Sequence, residues 1–257
     1  MTTTTPSAMT LLELRGVSVS FDGFLALNDL NLQLAPGELR AVIGPNGAGK
    51  TTFLDVITGK VKPSRGDVLF RGRSIVGQSE HRISRLGIGR KFQAPRVYQN
   101  LTPRRNLELA LRAPHGPAAL LFGALSVEQR DRVQQLLAVV GLEAHAHQPA
   151  GGLSHGQKQW LEIAMLVAQD PDLLLVDEPV AGLTDEETAR TGELLRQLAG
   201  DHTVLVIEHD MEFIRDLQAP VTVLHEGHVL CEGSMEQVQS DPRVIEVYLG
   251  SDTQEAA

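Results

Sequence analysis

Hydrophobic and polar residues alternate in the first part of the chain, in the stretches LLELRGVSVSF and LALNDLNLQL. A period of two is typical of strands with one buried face. Asp22 and Gly23 separate the two stretches, so we predict an antiparallel pair of strands within residues 11–34. The apolar run LRAVIG at residues 39–44 predicts a buried strand that enters a glycine-rich turn, and GDVLF at residues 66–70 predicts another strand.

The middle of the chain follows a helical period. After Ser154, apolar residues recur at i, i+3, i+4 and i+7 across residues 160–167, which predicts a largely buried helix. Residues 79–150 are also predicted to be mostly helical, with interruptions at APRVYQN and at the apolar stretch APHGPAALLFGAL. The second interruption, residues 113–125, fits either a packed insertion or part of a groove that faces a partner.

Strands and helices alternate in the last third of the chain, and each predicted strand is a nearly continuous apolar run. This order favours a parallel sheet that is covered by helices on both faces. We therefore predict an α/β fold with a mostly parallel sheet and a separate antiparallel β subdomain. The strands predicted here are LLLVDEP, TVLVIEHD and APVTVLHEG, and the helices are residues 185–199 and 211–217.

The predicted elements form one domain over residues 11–250. The helical block, at about residues 94–170, is interpreted as a subdomain inserted into the α/β core, because the sequence contains neither a repeat nor an obvious linker. The Thr-rich residues 1–10 and the C-terminal residues 251–257 are predicted to be mobile.

Composition narrows the class of protein. The 257 residues are 42% hydrophobic, which is sufficient for a substantial core. The formal net charge of -9 disfavours nucleic acid as a partner and direct adhesion to an anionic membrane. The chain has no apolar run of the ~18 to 20 residues that span a bilayer and no N-terminal secretion signal, so we expect a soluble, cytosolic protein. The single cysteine, Cys231, rules out an internal disulfide framework.

A phosphate-binding motif lies between a predicted strand and a helix predicted at residues 50–58. The sequence GPNGAGKT matches GxxxxGK followed by Ser or Thr. Its glycines let backbone amides cradle phosphates, Lys50 can reach the β- and γ-phosphates, and Thr51 can ligate Mg²⁺. The strand and helix on either side favour this interpretation over an ordinary glycine-rich turn. The candidate nucleotide-binding residues are Gly44, Pro45, Asn46, Gly47, Ala48, Gly49, Lys50, Thr51 and Thr52.

Two adjacent carboxylates, Asp177 and Glu178, end the buried strand LLLVDEP. Ligands of α/β sheets bind outside the carboxyl ends of the strands. Asp177 can hold the magnesium shell, while Glu178 can polarise an attacking water. Neighbouring acids at a strand end are also common as solvated turn residues, but the phosphate loop favours the functional interpretation.

The run LSHGQ at residues 153–157 precedes the long apolar helix. Ser154 and Gln157 have the spacing of a capping box. Gly156 would lie inside the helix, where glycine costs about 1 kcal/mol relative to alanine. The pattern therefore predicts a helix start whose amides stay free for another group.

GPNGAGKTT, LSHGQ, LLLVDEP and the EHD at residues 208–210 together resemble the nucleotide-binding subunit of ATP-binding cassette (ABC) transporters, in that family's order and spacing. The resemblance covers residues 11–250 and implies the P-loop NTPase fold of an ABC ATPase that uses ATP and Mg²⁺. It also implies that two such chains sandwich two ATP molecules, with one chain's signature run capping the nucleotide of the other. An anion suits a helix amino end. The residues implied are Ser154, His155, Gly156 and Gln157.

Three further residues are assigned by this resemblance alone. Gln93, in KFQ, would sense Mg²⁺ and the transporter contact, and would count among both the catalytic and the metal-binding residues. His209 resembles the switch histidine that touches the γ-phosphate, and Phe21 resembles the aromatic residue that stacks on adenine. The alternative roles are a surface amide, a structural histidine and a strand-core residue, respectively.

Two positions depart from the family pattern. His155 replaces the first glycine of the usual LSGGQ. If its backbone amide makes the contact, the side chain is incidental, which is the interpretation we favour; the alternative is that a charged imidazole adds pH sensitivity. Thr184 stands where the family commonly has the aspartate of SALD, although TDEE at residues 184–187 still forms a capping box. The second departure leaves open how two active sites would communicate through this loop.

GIGRKFQAP, LSHGQKQWLEIAM, EPVAGLTDEE and DPRVIEVYLG resemble the ATPase subunits of branched-chain amino acid importers, and most closely those of urea importers. The resemblance implies a urea importer; the alternatives are a branched-chain amino acid importer or a non-transport cassette in translation or DNA repair. A switch GTPase is disfavoured because no NKxD motif is present. The implied partners are a second ATPase subunit, membrane permeases and, indirectly, a solute-binding protein, but no nucleic acid. The two ATPase subunits would form a hetero- or homodimer, and the resemblance favours a heterodimer. The implied location is peripheral, on the cytoplasmic face of the bacterial inner membrane.

Overall fold

A computed structural model of the protein describes residues 10–91, 97–111 and 125–252. The predictions for Gln93, for nearly all of the apolar stretch 113–125, and for the chain ends before Thr10 and after Asp252 concern residues outside these ranges.

The strands of the described residues follow much of the predicted pattern. The hairpin between the first two strands turns at Asp22 and Gly23, whose φ angles of 47° and 91° are both left-handed, as a tight two-residue hairpin requires. The strands are β1 (Leu12–Phe21), β2 (Phe24–Leu34), β3 (Leu39–Ile43), β4 (Arg65–Phe70), β5 (Arg73–Ser74), β6 (Ile88–Lys91), β7 (Leu173–Asp177), β8 (Thr203–Ile207), β9 (Val221–His225) and β10 (His228–Gly233).

In most helices of the described residues, the side chain of the N-cap residue accepts a hydrogen bond from an amide of the first turn. Ser126, Ser154, Thr184 and Ser234 each form a complete capping box with the residue three positions later. The helices are α1 (Lys50–Ile57), α2 (Glu80–Leu86), α3 (Pro103–Ala110), α4 (Val127–Val139), α5 (His155–Val167), α6 (Asp185–Leu198), α7 (Met211–Leu217), α8 (Met235–Ser240) and α9 (Pro242–Asp252).

The described strands form two sheets. The first is antiparallel, in the order β2-β1-β4-β5. The second has the order β10-β9-β3-β8-β7-β6, and all its neighbours are parallel except β9 and β10. Helices α3, α4 and α5 lie between β6 and β7 in the chain. The predicted α/β class, with a mostly parallel sheet and a separate antiparallel one, is confirmed.

The parallel sheet is buried on both faces. Along β7, Leu174 and Val176 belong to one hydrophobic cluster, whereas Leu173 and Leu175 belong to the other. This explains why the sequence of the strand is continuously apolar. Because β3, β8 and β7 are parallel neighbours, their carboxyl ends lie along one edge of the sheet. The glycine-rich loop follows the end of β3, the acidic pair lies at the end of β7, and His209 comes two residues after the end of β8.

Strand β6 corrects the predicted pattern. It lies within residues 79–150, for which the sequence pattern predicts mostly helix, yet it pairs with β7 from Ile88↔Leu173 to Lys91↔Val176. Only Ile88 and Lys91 of its four residues are buried, so the strand has neither the length nor the alternation that would mark it. Strand β10 and helices α8 and α9 also have no counterpart among the predicted elements.

Candidate functional site

The glycine-rich loop joins β3 to α1 and ends at Gly49, the N-cap of that helix. Gly49 has a φ of 100°, and no side chain caps the helix. A Cβ at this position would lie 2.5 Å from the carbonyl oxygen of Ala26, so only glycine fits. The first amides of α1 are therefore arranged as expected for a helix start that receives an anion.

The ammonium group of Lys50 lies against its own loop. Its Nζ donates to the carbonyl oxygens of Gly44 at 2.6 Å and Pro45 at 3.0 Å. Burial lowers the pKa of Lys50, and the nearby carboxylates of Glu178 and Asp177 partly oppose this effect. A half-buried cation held mainly by carbonyl groups gains from an anionic ligand that compensates its lost hydration.

A cleft of about 320 Å³ brings several of the predicted residues together. Phe21 and Phe24 face each other across the end of the β1–β2 hairpin and are 47% and 65% exposed. The alternative role of Phe21 as a strand-core residue does not agree with this exposure. Its free ring is available to stack on a planar base. The cleft is lined by Phe21, Phe24, Ala26, Asn46, Gly47, Ala48, Gly49, Lys50, Thr51, Thr52 and Glu178.

Asp177 takes part in a buried ionic network that the sequence did not indicate. Arg90, on β6, contacts Oδ1 of Asp55 at 2.6 Å and Oδ2 of Asp177 at 3.1 Å. The three side chains are only 10–11% exposed. Because a buried carboxylate is costly unless it is paired, Arg90 compensates the burial of Asp177 and fixes its orientation. This contact can be predicted only when the pairing of β6 with β7 is known.

The oxygen donors near the phosphate loop suit Mg²⁺. Thr51 supplies a hydroxyl and Asp177 a carboxylate, which are the hard ligands that this ion prefers. Among the described residues, no three His, Cys, Asp or Glu side chains are grouped as a metal site of their own. Mg²⁺ commonly takes only one or two protein ligands and fills the remaining positions with phosphate oxygens and water. The donor set therefore fits the predicted ion, while Gln93 lies outside the described residues.

Glu178 has an unusual backbone conformation. Its φ of 46° is left-handed, which costs a residue other than glycine about 1 kcal/mol or more. Its amide donates to the carbonyl oxygen of Ile207 at 2.9 Å, which ties this position to the end of β8. Strain of this kind is often found where a side chain is held for function. The carboxylate of Glu178 lines the cleft that contains Lys50.

His209 lies beside Glu178 but remains open to solvent. Its Nδ1 is 3.8 Å from Oε1 of Glu178 and 3.7 Å from Oε2 of Glu208, and its side chain is 68% exposed. Glu208 is buried and accepts hydrogen bonds from the amides of Val180 and His209, each at 3.0 Å. Burial raises the pKa of Glu208. This carboxylate thus joins the loops after β7 and β8 and sets the backbone position of His209.

The predicted capping box at LSHGQ is present. The amide of Gln157 donates to Oγ of Ser154 at 3.1 Å, and the amide of Ser154 donates to Oε1 of Gln157 at 2.9 Å. A carboxylate of the same chain lies at this helix start, however. Oγ of Ser154 donates to Oε1 of Glu187 at 2.8 Å, and a Cβ at Gly156 would lie 2.7 Å from the same carboxylate oxygen.

The signature residues are placed away from the phosphate cleft. Neither Ser154, His155, Gly156 nor Gln157 is among the residues that line it. The imidazole of His155 lies 3.0 Å from Nε2 of Gln159, one turn further along α5. This contact within one helix agrees with an incidental role for the imidazole.

Comparison with known proteins identifies the family. A family model described as ABC transporter matches residues 27–181. The chain belongs to the ABC transporter family. A second model, described as Branched-chain amino acid ATP-binding cassette transporter, matches residues 228–253 of this cassette. The predicted family and the predicted ATP hydrolase activity are confirmed.

Relatives match the cassette over nearly its full length. The high-affinity branched-chain amino acid transport ATP-binding protein LivG of Escherichia coli K12 is 37% identical over 250 residues, covering 93% of this chain and 98% of LivG. The crystal structure of the ADP conformation of MJ1267, an ATP-binding cassette of an ABC transporter, has a TM-score of 0.83 and 28% identity. That match covers 94% of this chain and 99% of MJ1267.

A third match is to a dimer. The dimeric structure of a post-hydrolysis state of the ATP-binding cassette MJ0796, bound to ADP and Pi, has a TM-score of 0.71 and 28% identity. It covers 87% of this chain and 98% of that cassette.

Among the described residues of the present cassette, no helix combines the length and apolar character needed to cross a bilayer. None of these matches supports the predicted urea specificity; those that name a substrate name branched-chain amino acids.

Proposed function

We propose that this cassette powers the import of branched-chain amino acids rather than of urea. The ATP-binding cleft does not discriminate between substrates, because permeases and solute-binding proteins contact the substrate. The proposal is carried by the match of residues 228–253 to the C-terminal model of branched-chain amino acid cassettes. The full-length similarity to LivG supports it.

In the proposed site, the loop from Gly44 to Thr52 cradles the triphosphate, and Lys50 neutralises the β- and γ-phosphates. Phe21 stacks on adenine. Thr51 and Asp177, together with Gln93, would hold Mg²⁺, which supplies charge neutralisation when bound. These assignments are supported by the cleft, which Phe21, the loop and Glu178 line together.

The proposed hydrolytic step places Glu178 as the general base. Its carboxylate accepts a proton from the water whose oxygen attacks the γ-phosphorus, while the bond to the β–γ bridging oxygen breaks and ADP leaves. The phosphate cradle holds the γ-phosphoryl group in line. His209 contacts the γ-phosphate from beside Glu178, at the position fixed by Glu208. The 3.8 Å separation of His209 and Glu178 supports this arrangement.

We further propose that the active site is completed by a second ATPase subunit, either a copy of this chain or a related one. Ser154, His155, Gly156 and Gln157 of one subunit cover the nucleotide of the other. These residues do not line the chain's own cleft, and MJ0796 is a dimeric cassette. The assembly acts with permease subunits and, indirectly, with a solute-binding protein at the cytoplasmic face of the bacterial inner membrane.

Purification of the assembled complex from native membranes, followed by reconstitution in proteoliposomes, tests the proposed substrate. The solute-binding protein loaded with leucine is expected to raise the ATPase rate above that of the same protein with urea or without ligand. A complex that carries Glu178→Gln controls for contaminating ATPases. Stimulation by urea but not by leucine would restore the urea assignment, and stimulation by neither would reject both.

A further inference from the structure

Glu187 joins the starts of two helices. It is the third residue of α6, where its amide donates to Oγ1 of Thr184 at 3.3 Å and its Oε2 accepts from the amide of Thr184 at 3.2 Å. Its other oxygen, Oε1, accepts from Oγ of Ser154 at 2.8 Å. One carboxylate therefore completes the capping box of α6 and also covers the start of α5, the signature helix.

The absence of a side chain at Gly156 leaves space for this carboxylate. Gly156 is buried, and a Cβ at this position would lie 2.7 Å from both Cδ and Oε1 of Glu187. A glycine inside the first turn thus gives space to an anionic group of the same chain. The hydroxyl of Ser154, followed by the amide of Thr184, lowers the pKa of Glu187, so the group is an anion at neutral pH.

We propose that Glu187 helps to set the affinity for ATP in dimer closure. In the separate chain, its carboxylate occupies the hydrogen-bond donors at the start of α5. In the closed dimer, the γ-phosphate of the partner's ATP takes these donors. This inference rests on the proposed composite site. The single proton of the Ser154 hydroxyl cannot be donated to both anions, and Glu187 already fills the space beside Gly156. Two anions at one helix start also repel each other. Closure therefore requires the carboxylate to withdraw from Ser154.

The capping box of α6 gives Glu187 a second position. Its Oε2 already accepts from the amide of Thr184, so the carboxylate keeps a backbone partner after it leaves Ser154. Closure therefore exchanges the carboxylate of Glu187 for a phosphate at the start of α5. Because this exchange costs free energy, it raises the ATP concentration that is needed for closure. In contrast, a residue that only positions Ser154 would assist closure.

Glu187→Gln separates these two roles. The glutamine keeps the side-chain length, and three capping boxes of this chain already have Gln at the same helix position, in Gln129, Gln157 and Gln237. The change removes the negative charge from the donors of the signature helix. Glu186→Gln is the matched control, since it removes one charge from the adjacent, exposed residue.

The first measurement is ATP-driven dimerisation by analytical ultracentrifugation, with Glu178→Gln in every chain to prevent hydrolysis. Glu187→Gln is expected to lower the ATP concentration for half-maximal dimerisation on the order of fivefold, since interactions of anions with helix starts have this magnitude. Glu186→Gln is expected to leave it unchanged. An unchanged or higher ATP requirement in Glu187→Gln would overturn the inference and leave the composite site intact.

A second measurement needs no dimer. Inorganic phosphate is titrated into the ¹⁵N-labelled chain, and the amide resonance of Gly156 is followed by NMR. We expect this resonance to respond at lower phosphate concentration in Glu187→Gln than in the unmodified chain or in Glu186→Gln. Equal responses, or no response in any chain, would overturn the inference. If ATP binds but no chain dimerises, the proposed site between identical chains fails, and the phosphate titration alone decides the role of Glu187.

Discussion

Glu178→Gln is expected to bind ATP as tightly as the unmodified cassette and to hydrolyse it about 100-fold to 10,000-fold more slowly, which is the usual contribution of a general base. The amide has the same shape as the carboxylate but cannot accept the proton of the attacking water. The left-handed φ of 46° and the hydrogen bond from its amide to Ile207 belong to the backbone, so the substitution leaves them in place.

Binding by isothermal titration calorimetry and steady-state phosphate release at saturating ATP separate the two effects. Glu186→Gln serves as the control, because it makes the same chemical change at an exposed position on α6. Full hydrolysis in Glu178→Gln would remove this residue from the role of base. Loss of binding would instead mean that the carboxylate holds the nucleotide.

Lys50→Ala is expected to weaken ATP binding itself, by about 100-fold, because a charge-assisted contact to the phosphates is lost. The substitution also removes the donor that holds the carbonyl oxygens of Gly44 and Pro45, so the loop loses its internal support. Calorimetric titration with ATP measures the effect directly. Lys60→Ala is the matched control, since Lys60 is 55% exposed and pairs with Asp55 outside the phosphate loop.

Unchanged ATP affinity in Lys50→Ala would contradict the proposed cradle. Unchanged affinity together with slow hydrolysis would confine Lys50 to stabilisation of the transition state. A similar loss of affinity in Lys60→Ala would show that a general change of surface charge, rather than the loop contact, explains the result.

Sequence patterns predict where the phosphate loop and the acidic pair lie in the fold, at the ends of two buried strands. GPNGAGKT is contiguous, and its chemistry depends on the strand and helix directly beside it. Asp177 and Glu178 directly follow an apolar run that is long enough to mark a buried strand. The hairpin at Asp22 and Gly23 is equally local, since its turn type follows from those two residues.

The parts that sequence patterns miss depend on contacts between distant segments. Arg90 acquires its role only when β6 pairs with β7, which brings it to a carboxylate 87 positions away. Glu187 reaches Ser154 across 33 positions, through the arrangement of α5 and α6. The signature helix therefore looks free in the sequence and is covered in the folded chain. Substrate identity is missed for another reason, because in the proposed assembly the permease and the solute-binding protein, rather than the residues of the ATP cleft, contact the transported solute.

The central claim is that each nucleotide site is shared between two chains. Mixing Lys50→Ala chains with Gly156→Asp chains tests it most directly. Gly156→Asp places a second carboxylate against Glu187 at the signature helix, while its phosphate loop remains intact. In a mixed dimer, one site combines the intact loop of the Gly156→Asp chain with the intact signature run of the Lys50→Ala chain.

Each variant alone is expected to hydrolyse ATP at background rate, whereas the mixture is expected to regain hydrolysis that depends on protein concentration. A mixture of Lys50→Ala with Glu178→Gln chains is the control, because both lesions affect the same half of the site and no complete site can form. A mixture of Lys50→Ala with Gly156→Asp that stays inactive would contradict a site shared between two copies of this chain. A Gly156→Asp chain that is fully active alone at high dilution would contradict a shared site of any kind.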